Sequence, residues 1–246
     1  MLCCLDSSDT DMDASEKSVN AYLAQQGYRA VVYEPDGKVP PDFLIDGRIA
    51  VEVRRLNQNE DTPNGPRGLE DVAERLHTAV TKVLLSLGRP TAGVSWFVIY
   101  TFSRPLPPWK QLKRMLADAL RRFQEEPSDH PTAMRIARGL TLRFIRASKA
   151  HSTFFVLGGS SDYDEGGFVV AEMARNLQIC IDKKSRKVAR FLSRYPEWWL
   201  ALEDRIGFGM LDESDRQNIR QLISVGDPWS KIVLVNPLNP ALGFEL

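Results

Sequence analysis

Two short apolar segments on either side of Asp46-Gly47 carry carboxylates among hydrophobic residues. The second segment alternates with the two-residue period of a β-strand: Ile49, Val51 and Val53 belong to one face, and Ala50, Glu52 and Arg54 to the other. The first segment, residues 42–45, alternates in the same way. The pattern therefore predicts two antiparallel strands joined at Asp46-Gly47.

The length of the connecting loop decides whether Asp42 and Glu52 share a face of this hairpin. A strict two-residue loop would place Asp42 opposite Val51 and would break the match between the apolar faces of the strands. A three-residue loop, in which Gly47 adopts the left-handed conformation after a type I turn, restores that match. We therefore predict that Asp42 and Glu52 lie on the same face.

The rest of the chain alternates between helical and strand-like patterns. Apolar residues at helical spacing predict helices over residues 13–27, 69–87, 109–125, 168–192 and 214–224. Strands are predicted over residues 28–33, 94–102, 140–147, 153–157, 198–206 and 231–235. The continuous apolar run 94–102 indicates a strand buried on both sides. Residues 57–68 and 127–139, which contain proline and glycine, are predicted to be connections.

This alternation indicates an α/β protein with one elaborated domain. Residues 1–13 lack periodicity and are expected to form a disordered tail. Residues 14–104, in the order helix, three strands, helix, strand, are the expected core. Residues 105–246 are expected to be an α/β extension packed on the same sheet. In the predicted strand 198–206, alternation places one ring of Trp198-Trp199 inward and the other outward.

Composition narrows the classes of function. The 246 residues are 43% hydrophobic, which allows a substantial core. Basic and acidic residues number 32 each, so no net charge favours non-specific binding to nucleic acid or anionic lipid. Three cysteines without zinc-site spacing indicate a reducing, cytoplasmic setting. No apolar run approaches the roughly 20 residues of a membrane span, so no membrane partner is expected.

An Asp and a Glu on one face of a hairpin are typical of a metal site. Two carboxylates about 4 Å apart repel unless a cation lies between them, and oxygen ligands suit magnesium or manganese. Arg54, two residues beyond Glu52 on the same strand, can contact a phosphate. Glu16 lies on the apolar face of the first predicted helix, where it either complements the helix dipole or supplies a further ligand.

Pro41-Asp42, Glu52-Val53-Arg54 and the order of elements resemble the PD-(D/E)xK phosphodiesterase superfamily, which has the restriction-endonuclease-like fold. The resemblance covers roughly residues 14–102. It implies that Asp42 and Glu52 bind a divalent metal, magnesium or manganese, and that the backbone carbonyl of Val53 is a further ligand. It also implies that Glu16 matches the helix acid of that family and that the partner is nucleic acid, above all DNA.

The motif lysine of that family is replaced by Arg54. Arginine stays protonated and cannot act as a general base, so the expected role of Arg54 is contact with a phosphate. In some members the lysine moves to the following helix, which makes Lys82 a candidate. Lys82 points about 135° away from the centre of the apolar face, from about 100° of rotation per residue, and is rejected.

Three interpretations stay open. The chain is a metal-dependent phosphodiesterase that acts as a DNA nuclease, or an inactive nuclease-like module that binds nucleic acid or protein. Alternatively, Glu52 and Arg54 form an ion-pair network on a solvated strand face.

A basic run that includes Lys183, Lys184, Arg186 and Lys187 is either a phosphate-tracking surface or a solvated helix face. Asp162-Tyr163-Asp164 is predicted to be a solvated turn, and a homodimer is left open beside a monomer.

Overall fold

The computed structural model describes residues 12–90 and 93–246, and within these ranges it is a mixed α/β protein. The helices are α1 (Ala14–Gln25), α2 (Leu69–Ser86), α3 (Trp109–Glu125), α4 (Val169–Val188) and α5 (Glu213–Leu222). The strands are β1 (Val31–Tyr33), β2 (Phe43–Ile45), β3 (Ile49–Leu56), β4 (Asn59–Glu60), β5 (Arg67–Gly68), β6 (Trp96–Phe102), β7 (Thr132–Ala137), β8 (Leu140–Arg146), β9 (Phe155–Asp162), β10 (Glu197–Asp204), β11 (Trp229–Val235) and β12 (Phe244–Glu245). The predicted α/β class is confirmed.

The chain forms two compact units that differ from the predicted division at residue 104. Unit 1 combines the part up to Arg67 with Gly167–Leu246, and unit 2 is Gly68–Gly166. The reason is strand pairing: β3 pairs with β10, whereas β6 pairs with β8 and β9 in a separate sheet. The predicted core 14–104 and the predicted extension 105–246 on the same sheet are therefore replaced by these two units.

Unit 1 is built on a six-stranded sheet in the order β1-β2-β3-β10-β11-β12. The central strands β3, β10 and β11 are parallel, and the outer pairs are antiparallel. One apolar cluster joins α1 to one face through Val19, Leu23, Val51 and Val53. A second cluster on the other face joins α4 and α5 to the sheet. Since both faces are covered, Trp198 and Trp199 are both buried, which corrects the prediction that one ring faces outward.

The hairpin of β2 and β3 has the predicted register. Phe43 lies opposite Val51 and Ile45 opposite Ile49, so three residues form the loop and the apolar faces match. Gly47 is left-handed with φ 67°, as predicted, but Asp46 also has a positive φ of 50°. The turn is therefore not type I. Positive φ at both central residues is the requirement of a type I′ turn, whose twist suits a hairpin.

Helix α1 begins with a capping box. The Asp13 carboxylate accepts hydrogen bonds from the backbone N–H groups of Ser15 and Glu16, and Glu16 Oε2 accepts from Asp13 N–H at 2.7 Å. Residues 1–11 of the predicted tail lie outside the described residues. Met12 is buried in the core on the α1 face of unit 1, so the prediction of a disordered tail is wrong at this residue.

The predicted loop after β3 is held against α4. Asn59 donates from its backbone N–H and from its side-chain amide to Asn176 Oδ1, both at 2.9 Å, and both residues are buried. Farther along, Lys183 Nζ donates to the Pro66 carbonyl at 3.0 Å. The segment also forms the short pair β4–β5, so it is an ordered attachment between β3 and α4.

Unit 2 packs α2 and α3 on one face of a four-stranded sheet in the order β7-β8-β6-β9. Along β6 the residues alternate strictly between buried and half-buried, so β6 is not buried on both sides as predicted. The core-facing residues of β6 are Trp96, Val98, Tyr100 and Phe102. Strand β7 lies within the segment that was predicted to be a connection.

Arg104 links the first residues of unit 2 to its last strand and the turn that follows. Its guanidinium donates to the Leu69 carbonyl at 2.5 Å, to Asp162 Oδ2 at 2.7 Å and to Asp164 Oδ2 at 3.1 Å. The side chains of Arg104 and Asp162 are 5% and 6% exposed. Asp162 is thus a buried ion-pair partner, which corrects the prediction of a solvated turn at that residue.

Candidate functional site

Asp42 and Glu52 face each other across the β2–β3 hairpin. The register that pairs Phe43 with Val51 places Asp42, one residue before β2, directly opposite Glu52. The Val53 N–H donates to Asp42 Oδ2 at 2.6 Å, which fixes the Asp42 side chain against β3. The charges of Glu52 and Lys184 both act on Asp42. The predicted placement of the two acids on one face is therefore confirmed.

Glu52 is completely buried and carries the strongest contacts of the site. Its Oε1 lies 2.6 Å from the ammonium of Lys184 and 2.6 Å from that of Lys187. Lys184 Nζ also donates to the Val53 carbonyl at 2.5 Å. Glu52 Oε2 is buried and has no hydrogen-bond partner among the described residues. Because Glu52 is 0% exposed, an ion-pair network on a solvated strand face is contradicted.

Lys184 lies on the core-facing side of helix α4. The buried stripe of α4 contains Met173, Leu177, Ile181 and Val188, and Lys184 lies three residues after Ile181 and four before Val188. The lysine is 9% exposed, so its stem lies within the apolar layer and its ammonium meets Glu52. Lys187, one turn later, reaches the same oxygen with a side chain that is 48% exposed.

Burial and charge repulsion disfavour the simultaneous ionisation of Asp42 and Glu52. Burial, followed by repulsion from Glu52, raises the pKa of Asp42 to about 6. Lys184, the Val53 N–H and Lys187 act in the opposite direction without cancelling this rise. For Lys187, burial lowers the pKa, but the hydrogen bond to Glu52 and the charges of Glu52 and Asp42 outweigh it, so its pKa is raised.

Arg54 shares the face of Glu52 but lies farther along β3, close to the buried Cys180 thiol. Burial raises the pKa of that thiol, and the positive charge of Arg54 is the largest effect that opposes the rise. The cations in contact with Glu52 are Lys184 and Lys187, not Arg54. The contact of Arg54 with a phosphate stays a prediction.

Glu16 has the contacts of a helix cap. Its Oε2 accepts from the Asp13 N–H at 2.7 Å and from the Tyr33 hydroxyl at 3.0 Å. These contacts agree with the interpretation of Glu16 as an acid of the first helical turn, and its role as a metal ligand stays a prediction.

Sequence reasoning missed both lysines of the site, although α4 was predicted as a helix. From the sequence, the run that contains Lys183, Lys184 and Lys187 is interpreted only as a phosphate-tracking surface or a solvated face. The available signal was a lysine in register with Leu177, Ile181 and Val188, where a hydrophobic residue is expected. Lys82, the rejected candidate, belongs to α2 of unit 2.

The oxygen atoms at the hairpin are of the type that magnesium and manganese prefer. They are the carboxylates of Asp42 and Glu52 and the Val53 carbonyl. Within residues 12–90 and 93–246, no group of three or more His, Cys, Asp or Glu side chains is arranged to hold a metal ion. A metal at this position would therefore depend on two carboxylates, a main-chain oxygen and water.

Comparisons of the chain with protein-family models, with curated proteins and with solved structures give no match. None of the helices in the described part of the chain has the length and apolarity that a membrane span requires.

Proposed function

We propose that the protein is a metal-dependent phosphodiesterase, a nuclease that acts on DNA. The observation that carries the proposal is the pair of half-buried Asp42 and buried Glu52, with Lys184 in contact with both Glu52 and the Val53 carbonyl. In a phosphodiesterase site, two carboxylates hold a divalent cation and a nearby ammonium offsets negative charge at the reacting phosphate.

The order of elements in unit 1 supports a restriction-endonuclease-like core. Helix α1, strands β1 to β3, helix α4 and strand β10 follow in the order helix, three strands, helix, strand. Unit 2 is inserted in sequence between the third strand and the second helix. Under this proposal Lys184 takes the place of the motif lysine, and it comes from the helix that follows the insertion.

The site residues fit magnesium or manganese as cofactor. Glu52 Oε2 is a buried oxygen without a hydrogen-bond partner among the described residues, and repulsion from Glu52 contributes to the raised pKa of Asp42. Both features are relieved by a cation near the two carboxylates. When bound, magnesium supplies Lewis-acid chemistry: it polarises a phosphoryl oxygen and lowers the pKa of water.

The side chains of this site have distinct roles in the proposal. Asp42 and Glu52 hold the cation, together with the Val53 carbonyl. Lys184 fixes the Glu52 carboxylate and keeps a positive charge in the buried site. Lys187 is half exposed and its charged form is favoured by Glu52, so it is the group available to meet a substrate phosphate from the solvent side.

The test is calorimetric titration of magnesium and manganese, paired with cleavage assays on single-stranded and double-stranded DNA and on RNA. Asp42→Ala combined with Glu52→Ala should abolish both ion binding and cleavage. Lys184→Met should abolish cleavage. Asp182→Asn, an exposed acid of the same helix, is the matched control and should retain both properties. Wild-type protein that binds neither ion and cleaves none of the substrates refutes the proposal.

A second candidate function is a nuclease-like module that binds nucleic acid without cleaving it. The observation that favours it is the double ion pair of Glu52, since two ammonium groups already balance the carboxylates. This candidate predicts salt-sensitive DNA binding that survives the loss of both carboxylates. Magnesium-dependent cleavage that is lost with Asp42 and Glu52 favours the phosphodiesterase instead. Sedimentation of the wild type alone and with DNA tests the homodimer.

A further inference from the structure

Unit 2 contains a groove between α2 and α3 that the carboxylate site does not use. Its cavity volume is about 360 Å³, which is within the range of small-ligand sites. The lining residues are Glu74, Arg75, Thr78, Ala79 and Lys82 of α2, with Trp109 and Lys113 of α3. Each set repeats at helical spacing, so the groove follows one stripe of each helix.

The charge of the groove is predominantly positive. Arg75, Lys82 and Lys113 are exposed and stand against one lining acid, Glu74. In the described part of the chain, none of the three cations forms a salt bridge or a hydrogen bond. Their charges are therefore available to an anionic ligand. Arg75 and Lys82 lie seven residues apart on α2, which spans about 10 Å at about 1.5 Å per residue.

Trp109 adds an aromatic surface to these charges. Trp109 is half-buried: its side chain packs against the core of unit 2 and also lines the groove. A fixed indole beside several cations suits a planar aromatic group that carries phosphate. A nucleobase stacks on such a ring while the cations contact the backbone, and this combination is used by single-strand binding proteins.

We propose that the α2–α3 groove binds single-stranded nucleic acid, with a base stacked on Trp109 and phosphates on Arg75, Lys82 and Lys113. The groove lies entirely within unit 2, and its chemistry does not require the carboxylates of unit 1. The proposed strand binding is therefore independent of the proposed phosphodiesterase function and stands on its own evidence.

The experiment measures fluorescence anisotropy of a labelled single-stranded 12-nucleotide thymidine oligomer with the full chain in EDTA, which prevents metal-dependent cleavage. Lys82→Glu combined with Lys113→Glu should weaken binding by about tenfold or more. Trp109→Ala should weaken binding by about tenfold through lost stacking. Lys110→Glu combined with Arg114→Glu is the matched control, because both are exposed on α3, do not line the groove and change the charge equally.

Three results would overturn the proposal. The first is unchanged binding by the Lys82/Lys113 pair. The second is an equal loss in the Lys110/Arg114 control, which would indicate a diffuse attraction. The third is equally tight binding of an abasic oligomer or of polyglutamate, which carry charge but no bases. Calorimetric binding of magnesium by the groove variants reports on unit 1 alone, so failure here is distinguishable from failure of the phosphodiesterase proposal.

Discussion

Replacing Asp42 with asparagine should stabilise the protein at neutral and alkaline pH when divalent ions are absent. The asparagine has nearly the same shape and retains an oxygen that can accept the Val53 N–H, but it removes the charge that Glu52 repels. Activity and stability should therefore move in opposite directions, as expected where a functional site holds like charges together.

The magnitude follows from the raised pKa of Asp42, which moves from 3.8 to about 6. At about 1.4 kcal/mol for each pKa unit, the ionised carboxylate lowers the free energy of unfolding by at most about 3 kcal/mol. Asp42 is only partly buried, so solvent screening makes about 1–3 kcal/mol the expected range.

The pH dependence has a defined sign. Because the folded protein holds the Asp42 proton more tightly than the unfolded chain, the free energy of unfolding falls as pH rises from 3.8 to about 6. The full cost is present above that window, and it disappears below the unfolded pKa. The gain from Asp42→Asn should therefore be complete near pH 8 and absent near pH 3.5.

The assay is urea unfolding in EDTA near both pH values, followed by tryptophan fluorescence, to which the buried Trp198 and Trp199 of unit 1 contribute. Added magnesium should stabilise the wild type and leave the asparagine variant unchanged. Asp182→Asn, the exposed control, should change stability by less than about 0.5 kcal/mol. Destabilisation by Asp42→Asn near pH 8, or an equal gain at both pH values, would refute the reasoning.

Four further substitutions test other contacts, each by urea unfolding. Lys184→Met should lower the free energy of unfolding by about 3 kcal/mol, because it removes the buried partner of Glu52. Lys187→Met, at a half-exposed position, should lower it by about 1 kcal/mol or less. Equal losses in the two variants would contradict this ranking. Glu16→Ala should lower the free energy of unfolding by about 1 kcal/mol, because the helix cap is lost. The affinity for magnesium, measured by calorimetry, should not change. A weaker affinity would indicate that Glu16 is a ligand. Asn176→Ala should lower the free energy of unfolding by about 2 kcal/mol, because two buried donors of Asn59 lose their acceptor. A loss below about 0.5 kcal/mol would show that water replaces the Asn176 oxygen.

The hairpin could be predicted because its geometry is local. The alternation of Ile49, Val51 and Val53 fixes the faces of β3, and Gly47 supplies the left-handed residue that an odd loop needs. These few residues place Asp42 opposite Glu52 without information from the rest of the chain. The capping box of α1 is local in the same sense, since Asp13 and Glu16 are three residues apart.

The lysine partner could not be assigned because it depends on a pairing between distant segments. Residues 69–102 supply a helix and a strand with the expected order, and nothing local shows that they belong to another unit. The deciding fact is that β10, not β6, pairs with β3. That pairing places β10 inside the sheet of unit 1, where α1 covers one face and α4 and α5 cover the other, so Trp198 and Trp199 are both buried.

The ion pairs of Arg104 bear on how such a distant site is assembled during folding. Glu52 and Lys184 are 132 residues apart, and closing a flexible loop of that length costs about 4 kcal/mol of chain entropy beyond a constant term. Once unit 2 is folded, Arg104 holds Leu69 beside Asp162 and Asp164, so most of that loop is already closed. Unit 2, an insertion of about a hundred residues, then adds no more loop-closure entropy to the folding of unit 1 than a short connection would. Early folding of unit 2 would therefore accelerate the meeting of Glu52 with Lys184.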